Sequence, residues 1–186
     1  MKKNESKQNQ EIFKGKQKTK VSKTSLGENI RVKRNPLTKI PERVVQINLY
    51  PASLKKGTVP VTSENVERTF KEFFREHKQF LGIDPDALKI VTSKKINRRW
   101  FVKYHQYYKG ILIHNATVGI ESSDGGKVAT YAANYYPDIN IDVKPDLDMD
   151  KAIDIALKTY KTSDRSKLKR KDFLIIYPEE SEQKIT

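Results

Sequence analysis

His105 and His114 lie on either side of Lys109-Gly110, and this is the first spacing in the chain that could do chemistry. If Lys109-Gly110 is a two-residue turn, residues whose numbers sum to 219 face each other, so His105 faces His114. Facing imidazoles can bind a metal ion or respond to pH near neutrality. Two histidines make half of a tetrahedral site, and no third ligand is evident. A pair on a strand surface is the simpler expectation. His77 falls on the apolar side of a helical pattern and is expected as a packed or boundary residue. Asp146, Asp148 and Asp150 alternate in a D-x-D-x-D spacing that could point to calcium. An EF-hand loop would also need a following Gly and a closing Glu, and here Lys151 and Ala152 begin a helical pattern. Acidic residues at a helix start are accounted for by the helix dipole.

Trp100, Phe101, Tyr104, Tyr107 and Tyr108 are interleaved with Arg98, Arg99 and Lys103. Rings mixed with cations can stack and neutralise single-stranded nucleic acid. Strand alternation puts Trp100, Val102, Tyr104 and Tyr108 on one face, and part of that face must be core. The same mixture serves protein interfaces equally well. The enzyme templates fail: the sequence has no HExxH, no GxGxxG, no Walker A loop and no GxSxG turn. There is no cysteine, which excludes disulfides, thiolate zinc sites and cysteine nucleophiles. The chain therefore reads as a non-enzyme, with no catalytic residue, no cofactor site and no metal site assigned.

The elements that must position these residues are bounded by composition. The 186 residues are 36% apolar and 32% charged, enough for a core in part of the chain. The formal charge is +14. Residues 1–36 hold 11 Lys/Arg against 3 Asp/Glu, a net of +8, and lack periodicity. They read as a basic disordered tail, able to hold an anionic surface or nucleic acid by screened attraction. No apolar run approaches the ~18 residues of a membrane span. The N-terminus begins with lysines but has no apolar stretch after them, so it is not a secretory signal as it stands.

Arg43 to Leu49 is a first short strand. Thr62 to Leu81 is the clearest helix, with Val66, Phe70, Phe73, Phe74, His77, Phe80 and Leu81 on one face. Thr62 or Ser63 can cap it, Val61 and Val66 can staple it, and Gly82 can end it. Four strands follow, Ala87 to Thr92, Arg99 to Tyr108, Ile111 to Glu121 and Lys127 to Tyr136, joined at Lys109-Gly110 and Ser123-Asp124-Gly125-Gly126. A helix packed on an antiparallel meander is an α+β layer arrangement, cystatin-like in outline. The expected core is Phe70, Phe73, Phe74, Leu81, Trp100, Val102, Ile113, Val118, Ile120 and Val128. After Pro137 comes an acidic connector. A second helix is capped by Asp148, with Ala152, Ile153, Ala156, Leu157 and Tyr160 as its apolar face. Phe173 to Tyr177 reads as a buried strand. One helix and one strand make an incomplete second α+β unit.

Residues 106–138 resemble the fungalysin/thermolysin propeptide domain. That family carries a pattern close to Q-x-Y-K-G-I-P-V-F-G, a D-G-K hairpin, and a strand ending in N-x-x-P. Gln106, Tyr108, Lys109, Gly110 and Ile111 match the first element. Asp124-Gly125-Gly126-Lys127 matches the hairpin with one inserted Gly, and Asn134, Tyr136 and Pro137 lie in the final match. Leu112, His114 and Asn115 stand where the family has Pro, an aromatic and a second Gly. Leu147 to Leu157 resembles the opening of a PepSY domain, which follows in these precursors. The resemblance divides the chain into a tail (1–36), a propeptide-like domain (37–138) and the N-terminal part of a PepSY-like domain (139–186).

The resemblance implies the proregion of a secreted zinc metalloprotease, serving as folding chaperone and inhibitor. Its partner would be the catalytic domain of the same precursor, and its location secreted or in the cell envelope. The basic segment Lys167 to Lys171 is a plausible processing target. A stand-alone binding or protease-inhibitor module of the cell envelope, and a basic nucleic-acid-binding protein, are the competing readings.

Overall fold

The structure, a computed structural model, describes residues 21–54, 60–159 and 173–179. The elements in chain order are β1 (Val21–Thr24), β2 (Gly27–Arg34), β3 (Pro41–Leu49), α1 (Val66–Glu76), α2 (Lys78–Leu81), a 3₁₀ turn (Pro85–Ala87), β4 (Leu88–Ile96), β5 (Arg99–Tyr108), β6 (Ile111–Ser123), β7 (Val128–Asn134), α3 (Met149–Thr159) and β8 (Ile175–Ile176). The strands form one sheet in the order β1-β2-β3-β7-β6-β5-β4, with β8 added on β6. Every pairing is antiparallel except β6–β8. The fold is α+β.

The sheet starts earlier than the sequence implies. Residues 21–34 are not a disordered tail: β1 and β2 form a hairpin, and β2 pairs with β3. Leu26 and Ile30 are buried in the core. In β2, Ile30 and the partly buried Val32 face the core while Arg31 and Lys33 are exposed, an alternation too short to stand out in so basic a stretch. Residues 1–20, Tyr160 of the expected second helix face, and the basic segment Lys167 to Lys171 lie outside the described residues.

The main helix packs across one face of the sheet. Val66, Thr69, Phe70, Phe73 and Phe74 are its buried residues, spaced at three and four. All ten expected core residues are buried, and Tyr104 and Tyr131 join them. Phe74 meets both tyrosine rings edge-on, at centroid distances of 5.6 and 6.3 Å. Such T-shaped contacts suit the quadrupoles of the rings.

The helix start differs from the expectation. The capping position is Asn65, and no side chain caps α1. The Asn65 Oδ1 instead accepts from the Thr62 amide at 2.8 Å, while the Thr62 carbonyl accepts from Val66 N at 3.0 Å. The run also breaks at His77, which leaves helical geometry at φ −111° and separates α1 from α2. Its ring packs on Phe73 at 4.5 Å. Gly82 ends α2 in a left-handed conformation.

The histidines do not face each other. Tyr108 opposes Ile111 and Tyr107 opposes Leu112, as a two-residue turn requires. The register then shifts, and His105 opposes Thr117. Extra residues on β6 bulge out between Leu112 and Thr117, and Asn115 within them takes φ +58°. A one-strand count from the turn cannot foresee a bulge.

Among the described residues, the C-terminal segment contributes α3 and one short strand on the main sheet. Phe173–Tyr177 is not a buried strand: Phe173, Leu174 and Tyr177 are exposed, and only Ile175–Ile176 pair, parallel to Leu112–Ile113. β8 occupies the side of β6 that β7 leaves at Asn134. Asp148 does cap α3, its Oδ1 accepting from Lys151 N at 2.8 Å. Of α3, only Leu157 is buried.

Candidate protein-binding site

The motif positions fall at two ends of the long hairpin. Gln106, Tyr108, Gly110 and Ile111 lie at the β5–β6 turn, and Asn134, Tyr136 and Pro137 come to the same end from β7. Asp124 and Gly125 sit at the β6–β7 turn, roughly 40 Å away along the thirteen residues of β6.

At the first end the centre is Gln106. The residue is 3% exposed. The Gln106 Nε2 donates to the Tyr136 carbonyl at 2.7 Å, and the Tyr136 amide donates to Gln106 Oε1 at 3.0 Å. One side-chain amide thus imitates a strand partner for a residue that has left the sheet. A buried primary amide has both a donor and an acceptor to satisfy, and this clasp satisfies both with the backbone it holds. The Asn134 side chain donates to the Asn115 carbonyl at 3.1 Å, tying β7 to the bulge. Tyr135, at an unspecified position of the N-x-x-P match, is a further member. It is buried, and its hydroxyl accepts from the Asp84 amide at 3.0 Å, joining this corner to the segment before β4. Burial pushes its phenol above the usual range. Tyr108, Tyr136 and Pro137 line a cleft of about 620 Å³ here, beside Lys78 and Asp84, which are ion-paired at 3.2 Å.

At the second end, Asp124 forms an ion pair with Lys95 and its carbonyl accepts from Val61 N at 3.3 Å. The inserted glycine is the structural one. Gly126 has φ +82°, and a Cβ there would overlap Leu54 Cδ1 and lie 2.8 Å from Val61 Cγ2. The turn therefore presses directly on the loop leading into α1. Gly125 has open space around it.

The ring-and-cation stretch is divided by the pleat. Trp100 and Tyr104 point into the core, while Phe101 and Lys103 stand on the opposite face. Two of the five rings, Trp100 and Tyr104, are thus turned inward, while Phe101 is exposed and Tyr107 and Tyr108 are half-buried. Burial raises the Tyr104 and Tyr131 hydroxyls strongly, and both are without a hydrogen-bond partner among the described residues. His77 is lowered by burial, and His105 by burial and then by Lys103. Among the described residues, no group of three or more His, Cys, Asp or Glu could hold a metal ion. No described helix is long and apolar enough to cross a membrane.

No family model matches the chain, and no curated protein sequence is similar to it. Among solved structures, the C-terminal domain of Bacillus megaterium YpeB aligns over 76% of this chain and 67% of that one, with 17% sequence identity and a TM-score of 0.36. The likeness is distant and carries no functional information.

The face of the sheet turned away from α1 was not legible as a unit in the sequence. Two rows of residues cross it. One runs Lys94, Phe101, Glu121, Thr130, Val45 and Arg31. The next runs Thr92, Lys103, Gly119, Ala132, Arg43 and Lys33. These rows join residues from five or more separate segments, so only strand order brings them together.

Proposed function

We propose that this chain is a propeptide region of a secreted zinc metalloprotease precursor, acting as intramolecular folding chaperone and inhibitor. The observation that carries the reading is the Gln106 clasp on Tyr136. It gives a physical role to the two most distant parts of the resemblance, the glutamine before the turn and the segment ending in Pro137. Asn115 adds to this: it adopts positive φ where the resembling family has glycine. A proregion works by presenting a rigid surface, and a clasped hairpin supplies one. While tethered, even a weak complex forms at high effective concentration, which stabilises the folded protease and blocks it. The catalytic domain is the partner, and the secreted fraction or the cell envelope is the place of action.

The test is a titration of the purified chain into a thermolysin-like protease encoded in the same genome, following cleavage of a fluorogenic peptide. Saturable inhibition that disappears as the chain is digested is the expected result. Full protease activity at a hundredfold molar excess of chain would overturn the proposal.

A further inference from the structure

The open face of the sheet has the form of a docking surface, independent of the reading above. Two hollows of about 340 and 600 Å³ lie on it and share Lys103, Gly119, Thr130 and Ala132. Together they make one shallow trough whose floor is the small residues of β6 and β7. Lys103 on β5 and Arg43 on β3 stand at either side in the same row. Those two strands are three strand spacings apart, roughly 14 Å. An α-helix with its side chains is about 10–12 Å across. A helix laid along β6 and β7 therefore fits between the two cations and rests on Gly119 and Ala132. In the neighbouring row Phe101, 40% exposed, offers it an apolar contact.

Charge sets the character of that helix. The two acids on this face are already engaged, Glu42 by Lys33 at 2.9 Å and Glu121 by Arg99. Arg31, Arg43, Lys94 and Lys103 form no ion pair among the described residues. A nucleic-acid strand is a poorer match. In these two rows Phe101 is the one ring available for stacking, because Trp100 and Tyr104 are in the core. We infer that this trough docks an acidic amphipathic helix of a partner protein, with carboxylates on both flanks reaching Arg43 and Lys103.

The experiment uses the full chain and a labelled peptide of about four helical turns, with a leucine stripe between glutamate flanks. The controls are the same peptide with lysine flanks and an oligothymidylate of equal length. Anisotropy titrations compare the wild type with Arg43→Glu/Lys103→Glu and with Gly119→Leu. The glycine variant tests the trough without removing charge. A Cβ at Gly119 meets only Ala132 O at 3.7 Å and Val102 O at 3.9 Å, ordinary contacts, so the fold accommodates it. The expected result is selective binding of the acidic peptide, weakened by about tenfold or more in both variants, equivalent to about 1.4 kcal/mol. Equal binding of acidic and basic peptides overturns the proposal, as does wild-type affinity in either variant. Stronger, trough-dependent binding of the oligothymidylate would assign the face to nucleic acid instead. A dimer in sedimentation that Gly119→Leu dissociates would assign it to a second copy.

Discussion

The two faces of the sheet are made by the same strands and could hardly differ more. On the face under α1, Trp100, Val102, Tyr104, Val118, Ile120 and Tyr131 are buried in one continuous core. On the other face their immediate neighbours in sequence, Phe101, Lys103, Gly119 and Ala132, lie bare or half-bare around a trough. The pleat sends alternate residues to opposite sides, so each strand carries two messages. The inward message sets stability. The outward one is released from packing and is free to specify a surface.

Substitutions should separate the two faces sharply. The strongest test is Phe74→Ala, at the centre of the closed face between Tyr104 and Tyr131. It should destabilise the fold by about 3–5 kcal/mol in denaturant unfolding, through lost transfer energy and the cavity left behind. A cost under about 1 kcal/mol would mean that the closed face is not the main source of stability.

Gly126→Ala should come next. It combines a positive φ with overlap of Leu54 and Val61, so about 2–4 kcal/mol is expected from strain and crowding together. Gly125→Ala, one residue away in open space, is the matched control and should cost much less.

Gln106→Leu keeps the side chain's bulk and removes the clasp. It leaves the Tyr136 amide and carbonyl without their partner, at about 1–3 kcal/mol. Hydrogen exchange should show Tyr136 losing protection first, while the α1 amides remain slow. Uniform loss across the sheet would show that the clasp acts globally rather than at its corner.

His77 gives a smaller effect with a definite sign. Burial lowers its folded pKa below the ordinary value of 6.5, so the unfolded chain binds the proton more readily. Stability is therefore complete above about pH 6.5 and is lost as pH falls toward the folded value. His105 adds a contribution of the same sign. Denaturation midpoints measured from pH 8 to 5 should fall in the wild type and fall less steeply in His77→Gln. An unchanged slope would place the dependence elsewhere.

The smallest effect belongs to the open face. Lys103→Ala should change stability by less than about 0.5 kcal/mol, because the side chain is exposed and makes no ion pair among the described residues. A larger loss would blur the contrast between the two faces.

The residues that were legible in advance are those governed by local rules. Phe70, Phe73 and Phe74 announce a helix face because 3.6-residue spacing is a property of the chain alone. Lys109-Gly110 announces a hairpin because both residues must accept positive φ. Gln106 stood out by resemblance, but its role did not, since its partner is thirty residues away. Leu26 and Ile30 are hard to read in advance, because the alternation of Ile30 and Val32 with Arg31 and Lys33 is only two steps long.

By itself, then, the sequence determined the helix face, the alternating strands, the turns and the inward-facing core, since each depends on conformational preferences and burial within a short window. Tertiary structure decided the rest. It set the bulge that separates His105 from His114, the placement of β8 on β6, and the partner of Gln106. It also set Arg43 and Lys103 on opposite sides of one trough, because strand order, and not distance along the chain, determines which side chains share a row.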